Sequence, residues 1–213
     1  MAPIIRANSI YTLTSQASSW TTAETESETL GGSLVKIDTA EENGFLVRSF
    51  GTDYSYFNLN MWMGLSDAAQ EGDYRWRDGS SLEYTNFDKY NNPALLDATT
   101  NQNHDYGCIR INTDSLNRDI LGGWYMNTGD LVGTIYGIAE IPLTLSITRS
   151  GTPQEGAGVF TTSINLSAGT GTSGNLAEGA QVWWKVDGIT QDDLASGSAG
   201  LTGSGTITNG KLD

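Results

Sequence analysis

Residues able to do chemistry are unevenly supplied in this chain. There are 25 acidic side chains against 11 basic ones, but one histidine, His104, and one cysteine, Cys108. A single histidine excludes chemistry that needs two, and no cysteine pair stands near it to complete a zinc site. It reads as a loop residue and not as a catalyst. A single cysteine excludes an intrachain disulfide. Cys108 lies in Tyr-Gly-Cys-Ile-Arg-Ile, a strand pattern, and reads as a small buried hydrophobe. Carboxylate pairs abound, yet none sits in a recognisable catalytic motif, and in so acidic a chain adjacency arises by chance. The expectation is a protein that binds and does not catalyse.

The net charge of −14 argues against nucleic-acid backbones and anionic membranes, and suits cation binding or solubility in a salty exterior. Across 213 residues, 38% hydrophobic content with six Trp and nine Tyr is enough for a core. Only 17% of residues are charged, and Gly, Ser, Thr and Asn are plentiful, which favours a loop-rich, β-containing protein. No run approaches the roughly 20 apolar residues that span a membrane. No signal peptide is visible at the start, and the chain stops after Asn-Gly-Lys-Leu-Asp. Both features suggest a piece of a longer protein whose targeting signals lie elsewhere.

The elements that would position any site follow from periodicity. Residues 9–14 alternate as an edge strand would. Ser18-Ser19 before Trp20, and Gly31-Gly32 beyond Leu30, bracket a helix whose inward face is Trp20, Ala23, Ser27 and Leu30. Residues 33–37 read as a strand. Thr39 with Glu42 makes a capping box for a second helix, with Phe45, Leu46 and Phe50 on its apolar side and Gly51 at its end. The centre is residues 61–87. An apolar run from Met61 to Leu65 leads through an acidic turn to Tyr74-Arg75-Trp76-Arg77, in which Tyr74 and Trp76 share one strand face and Arg75 and Arg77 the other. Asp78-Gly79 closes it as a tight turn. Two tryptophans on neighbouring strands, Trp62 and Trp76, predict a shared core centre. A long polar loop, residues 88–103, has the length of a functional loop.

In order, Trp62-Met63-Gly64-Leu65, Glu71-Gly72, Trp76, Asp78-Gly79-Ser80 and Tyr84-Thr85-Asn86-Phe87 match the central motifs of the C-type lectin-like domain, and the chain resembles that family over residues 8–142. The resemblance implies an α+β domain of two helices and looped antiparallel sheets, closed by a last strand that pairs with the first. Here it would be held without the disulfides usual in animal members. The enzymatic branch of this fold, the formylglycine-generating oxidases, depends on cysteines this chain does not have.

In calcium-dependent members, sugar is held on a calcium bound by a triplet in the long loop and by a Trp-Asn-Asp triplet on the next strand. The first is at best Asn91-Asn92-Pro93 here, and the second reads Trp124-Tyr125-Met126. Methionine is no ligand for a hard cation, so the expectation is that the sugar-binding calcium site is lost. A second, structural Ca2+ site would use Asp67, Glu71 and Asp105, with His104 standing where another acid is expected. The alternative is that Asp67 starts a turn and Glu71 caps one. Tyr90, Asn91, Asn92, Tyr125 and Asn127 would line the long-loop face, where aromatics and amides can stack on sugar or anchor a protein. Tyr84 and Phe87 read as core.

After Pro142 the texture changes to short alternating segments rich in Gly, Ser and Thr, which suggests a β-sandwich. Residues 143–213 resemble an Ig-like or Calx-β/adhesin-type module of bacterial surface proteins, incomplete at its C-terminus. Glu155, Asp187, Asp192 and Asp193 there read as solvated turn acids, with calcium binding as the alternative. The whole is expected to be a secreted or cell-surface, non-enzymatic recognition module. It would bind carbohydrate or another surface ligand through the long-loop face, in adhesion or cell contact, beside neighbouring modules of a larger chain. A calcium-free protein-receptor binder and a purely structural stalk are the alternatives.

Overall fold

The computed structural model of the chain describes residues 3–51, 60–88, 103–111, 121–130, 135–149, 162–169, 175–188, 190–193 and 200–212. A hairpin opens it, β1 (Ile4–Arg6) and β2 (Ser9–Leu13), with Ala7 in the left-handed region at φ 51° in its turn. The residues read as an edge strand are therefore interior. β1 covers one side of β2, and β8 (Tyr136–Arg149) pairs antiparallel with the other, from Ser9↔Pro142 to Leu13↔Ile138.

Helix α1 (Trp20–Thr29) starts where Ser19 accepts the Thr22 N–H, and it buries Trp20, Ala23 and Ser27 as the spacing predicts. Its end comes so close to β8 that a Cβ on Gly32 would lie 2.0 Å from the Glu140 carbonyl oxygen. Strand β3 is only Ser33–Leu34. Beyond it the chain bridges two strands instead of extending one ladder. Val35 donates to Ile138 and accepts from Gly64, with Val35 and Ile37 fully buried. Helix α2 (Ala40–Phe50) is capped by Thr39, which accepts the Glu42 N–H at 3.1 Å. The return arm of the box goes one residue further out, from the Asp38 N–H to Glu42, because Tyr11 and Arg6 also hold that carboxylate.

Strands β4 (Asn60–Ser66), β5 (Arg75–Trp76), β6 (Tyr106–Arg110) and β7 (Trp124–Asn127) complete the domain, in the order β1-β2-β8-β4-β6-β7, with β5 on β4; the β4–β8 pairing is parallel, as is the isolated bridge of Phe87 to Trp124. Both faces of β4 are covered, so its alternation splits the expected core in two. Met61, Met63 and Leu65 join Trp76 and Trp124 on one side, while Trp62 joins Trp20, Leu34 and Cys108 on the other. Trp62 and Trp76 thus belong to different cores, and the aromatic partner of Trp76 is Trp124 at 5.6 Å.

Strand β8 runs on through Pro142, so the expected boundary between residues 142 and 143 falls inside one continuous strand. Its second half pairs antiparallel with β9 (Thr162–Ala168), which pairs in turn with β12 (Lys211–Leu212). A separate ribbon is formed by β10 (Gln181–Lys185) and β11 (Thr202–Thr206). Leu143, Leu166, Ala168 and Ala177 pack with Ile10 and Ile141, so the second sheet shares apolar contacts with the first.

One polar cluster lies under this closure. The Tyr11 hydroxyl sits 3.1 Å from Glu42 Oε1 and 3.0 Å from Glu140 Oε1, and Ser9 donates to Glu140 as well. A phenol has one proton to donate, so it serves only one carboxylate at a time. Burial, above all, raises the Glu140 carboxyl above its ordinary value; the Glu42 charge adds to this and the Ser9 and Tyr11 hydrogen bonds oppose it. A raised carboxyl binds its proton more tightly folded than unfolded, so it costs stability as pH climbs from about 4.3 through the folded value, and not below. Glu140→Gln should therefore gain stability relative to the wild type between pH 4 and pH 7 in paired urea titrations. A difference that does not change with pH would contradict this account.

Candidate functional site

The strand that would carry ligand contacts is β7, and it is anchored from inside. Its alternation buries Trp124 and Met126 in the first core and leaves Tyr125 and Asn127 half-buried on the opposite side, where Tyr125 packs against the second core of Trp20, Trp62 and Cys108. The Trp124 indole N–H donates to Asn43 Oδ1 at 2.7 Å, and Asn43 Nδ2 donates to the Gly122 carbonyl at 3.0 Å. Asn86 Nδ2 reaches the same carbonyl at 2.7 Å. The Trp124 backbone donates to Asn86 and accepts from Asp88, while Trp76, Tyr84 and Phe87 meet its ring edge-on at 5.5–5.8 Å. Tyr84 and Phe87 are packed against the core, as the sequence suggested.

On that side Cys108 pairs with Tyr125 and Tyr106 with Asn127 across β6 and β7. The Arg110 guanidinium lies over the Tyr125 ring at 4.6 Å, within cation–π range, and its Nε donates to Asp88 at 3.2 Å. Burial pushes the Tyr125 phenol up, and the adjoining Cys108 thiol pushes it further. The Cys108 thiol is itself raised by complete burial, so it is an inert packing group. Asn127 Oδ1 accepts from the Thr128 N–H. Sequence reasoning missed Arg110. Alternation over residues 106–111 places it on the same face as Cys108, but only the β6–β7 register sets it over Tyr125. Tyr90, Asn91 and Asn92 lie outside the described residues.

The three candidate metal acids share one neighbourhood. Asp67 is 2% exposed; its Oδ2 accepts the Gly72 N–H at 3.0 Å, and its own N–H donates to the Asp105 carbonyl. Its Oδ1 is buried without a hydrogen-bond partner among the described residues. Burial first, then the Asp105 charge, raises the Asp67 carboxyl. Glu71, exposed, is raised by local desolvation and then by Asp67 and Asp105, and the Tyr74 phenol is pushed up to about 12. An unpartnered carboxylate oxygen and mutually repelling acids fit a bound cation. Even so, no group of three or more His, Cys, Asp or Glu side chains among the described residues lies close enough to hold a metal ion. The acids are gathered but not converged.

Two helices against a looped sheet, closed by β8 pairing back onto β2 with β7 at the end of the strand order, define a lectin-like domain. The Lectin C-type domain model matches residues 16–122, and the chain belongs to that family of non-enzymatic, carbohydrate-binding domains, which typically bind Ca2+. It is similar to the perlucin-like protein of Mytilus galloprovincialis, 32% identical over 116 residues, covering 50% of this chain and 71% of that one. It is also similar to C-type lectin domain family 4 member M of Nomascus concolor, 38% identical over 80 residues, which is 38% of this chain but 19% of that longer protein. Among solved structures, the cow C-type carbohydrate-recognition domain of CD23, crystallised in the presence of GlcNAc2Man3 oligosaccharide, superposes with a TM-score of 0.51 at 22% identity, over 65% of this chain and 92% of that one. At that identity the likeness is one of fold.

Asn43 is the single side chain serving both the Trp124 indole and the Gly122 carbonyl. Asn43→Ala should destabilise the protein by about 3 kcal/mol, since it leaves the buried indole N–H without its acceptor. Asn86→Ala, which leaves Gly122 with its second donor, should cost only about 1 kcal/mol. Urea denaturation of both variants checks the order; equal costs would count against the Asn43 anchor.

Proposed function

We propose that the chain is an extracellular carbohydrate-recognition module working at a secreted or cell-surface location, in adhesion or cell contact. Its binding surface is the long-loop face, drawing on Tyr125 and Asn127 of β7 and on Tyr90, Asn91 and Asn92 of the long polar loop. The observation that carries this reading is the shelf of β7 formed by Tyr125 and Asn127 in a chain of the C-type lectin family. There a half-buried aromatic, under the Arg110 guanidinium, stands beside an asparagine on the strand that the resemblance to calcium-dependent members aligns with their second ligand triplet. The oligosaccharide present with the cow domain adds support at the level of fold. Residues 143–213 serve as a Calx-β/adhesin-like spacer that joins the module to the rest of a larger surface protein.

Calcium, in this reading, is structural and not sugar-bridging. Asp67, Glu71 and Asp105 would hold it, and its charge would relieve the repulsion that raises the Asp67 and Glu71 carboxyls. At the strand where calcium would bridge sugar, Tyr125 offers a phenol and Met126 is in the core, 7% exposed. That chemistry favours one second reading, a protein receptor bound on the same face without calcium.

Two measurements separate these readings. Calcium added to chelator-stripped protein should raise the melting temperature, by about 2.7 kcal/mol of stability at a hundredfold excess over Kd. Asp67→Asn should abolish that response; a response that persists in the variant moves the ion elsewhere. On a glycan array, Tyr125→Ala should lower binding at least tenfold while chelator leaves wild-type binding in place. Glycan binding unaffected by the variant would sink the assignment of this face, and binding only to deglycosylated protein would select the receptor reading.

A further inference from the structure

Trp183 is 74% exposed, more than any other large apolar side chain among the described residues, and it lies outside the lectin family match. It is not on a loose segment. In the β10–β11 ribbon the opposite face is pressed inward. Trp184 lies over Gly203 so closely that a Cβ there would come 2.3 Å from its ring, and a Cβ on Gly205 would meet Leu212 of β12 at 2.3 Å. That packing holds the outer face outward.

The register defines what that face offers. Gln181 is opposite Thr206, Trp183 opposite Ser204 and Lys185 opposite Thr202, and all six are exposed. One indole therefore stands at the centre of a platform of amide, hydroxyl and ammonium groups, with strand neighbours about 7 Å to either side. Gln181 Nε2 donates to Thr206 Oγ1 at 2.7 Å, which orients the amide, and the Lys185 ammonium is matched by Asp187 Oδ1 at 2.6 Å.

We infer that this platform is a second carbohydrate-binding site, for a neutral pyranose oligosaccharide, independent of the β7 face. A pyranose has an apolar face of C–H bonds and a rim of hydroxyls. The indole takes the face, and Gln181, Ser204, Thr202 and Lys185 meet the rim. The competing occupants fit less well. A second copy or a protein partner needs roughly 800 Å² per side in a stable interface, whereas a fully covered aromatic supplies about 150–250 Å² and every neighbour here is polar. An anionic membrane is repelled by a chain of net charge −14 whose one cation on this face is already paired.

The test uses the full chain with cellohexaose, mannohexaose and chitohexaose as probes, read by acrylamide quenching of tryptophan fluorescence. At least one probe should protect an indole saturably. Trp183→Ala should weaken that binding tenfold or more and Trp183→Phe by less, the protected indole being the exposed Trp183. The inference is overturned if no probe protects, if Trp183→Ala binds as the wild type does, or if protection tracks only protein concentration or anionic vesicles of phosphatidylserine.

Discussion

The indole of Trp124 is the interaction on which the binding side of this domain depends. Its N–H ends on Asn43 of α2, its ring is met edge-on by three aromatics, and its backbone ties residues 86–88 to β7. One side chain thus couples a helix, a strand and the segment leading into the long polar loop. A large aromatic with a polar tip suits that role, because it buries area while its N–H demands a fixed partner. Tyr125 and Asn127 inherit their positions from it, since strand alternation sends them to the opposite side.

Disulfide-free closure places further demands on buried polar groups. Glu24 is 4% exposed, and it is compensated twice: by Arg77 at 2.7 Å and by the Leu34 N–H at 2.9 Å, which joins α1 to β3 and to the turn after β5. Glu42 and Glu140 share the Tyr11 hydroxyl at the seam between β2, α2 and β8. A buried ion pair is weak evidence for stability but a strong constraint on arrangement, because breaking it strands a charge. Asp67 differs in that its buried Oδ1 has no partner within hydrogen-bond distance among the described residues, although the Tyr74 phenol offsets part of the burial cost of this carboxylate.

Strand β8 joins the two halves mechanically. Its first part closes the lectin-like sheet and its second part founds the next one, with Ile10, Ile141, Leu143 and Leu166 in one apolar cluster. A continuous strand transmits orientation better than a flexible linker, since each ladder bond fixes the next residue. The β7 shelf and the Trp183 platform are therefore both carried on strands rather than on loop tips.

Much of this was legible in order along the chain. Ser19 and Thr39 as caps, the inward faces of both helices, the buried run Met61 to Leu65, the burial of Cys108 and the core role of Tyr84 and Phe87 follow from local chemistry and periodicity, which need only near neighbours. What escaped depends on pairing between distant residues. The place of β2 beside β8, the division of Trp62 and Trp76 between two cores, Arg110 over Tyr125, and the hold of Tyr11 and Arg6 on Glu42 each require a register or a contact across 15 to more than 100 positions. Alternation shows that a strand has two faces, but not which neighbour covers each. The sequence by itself determined the elements, the family and the residue types available to a ligand. Only the tertiary structure decided which of them stand side by side, because strand pairing is set by global packing and not by the residues of either strand alone.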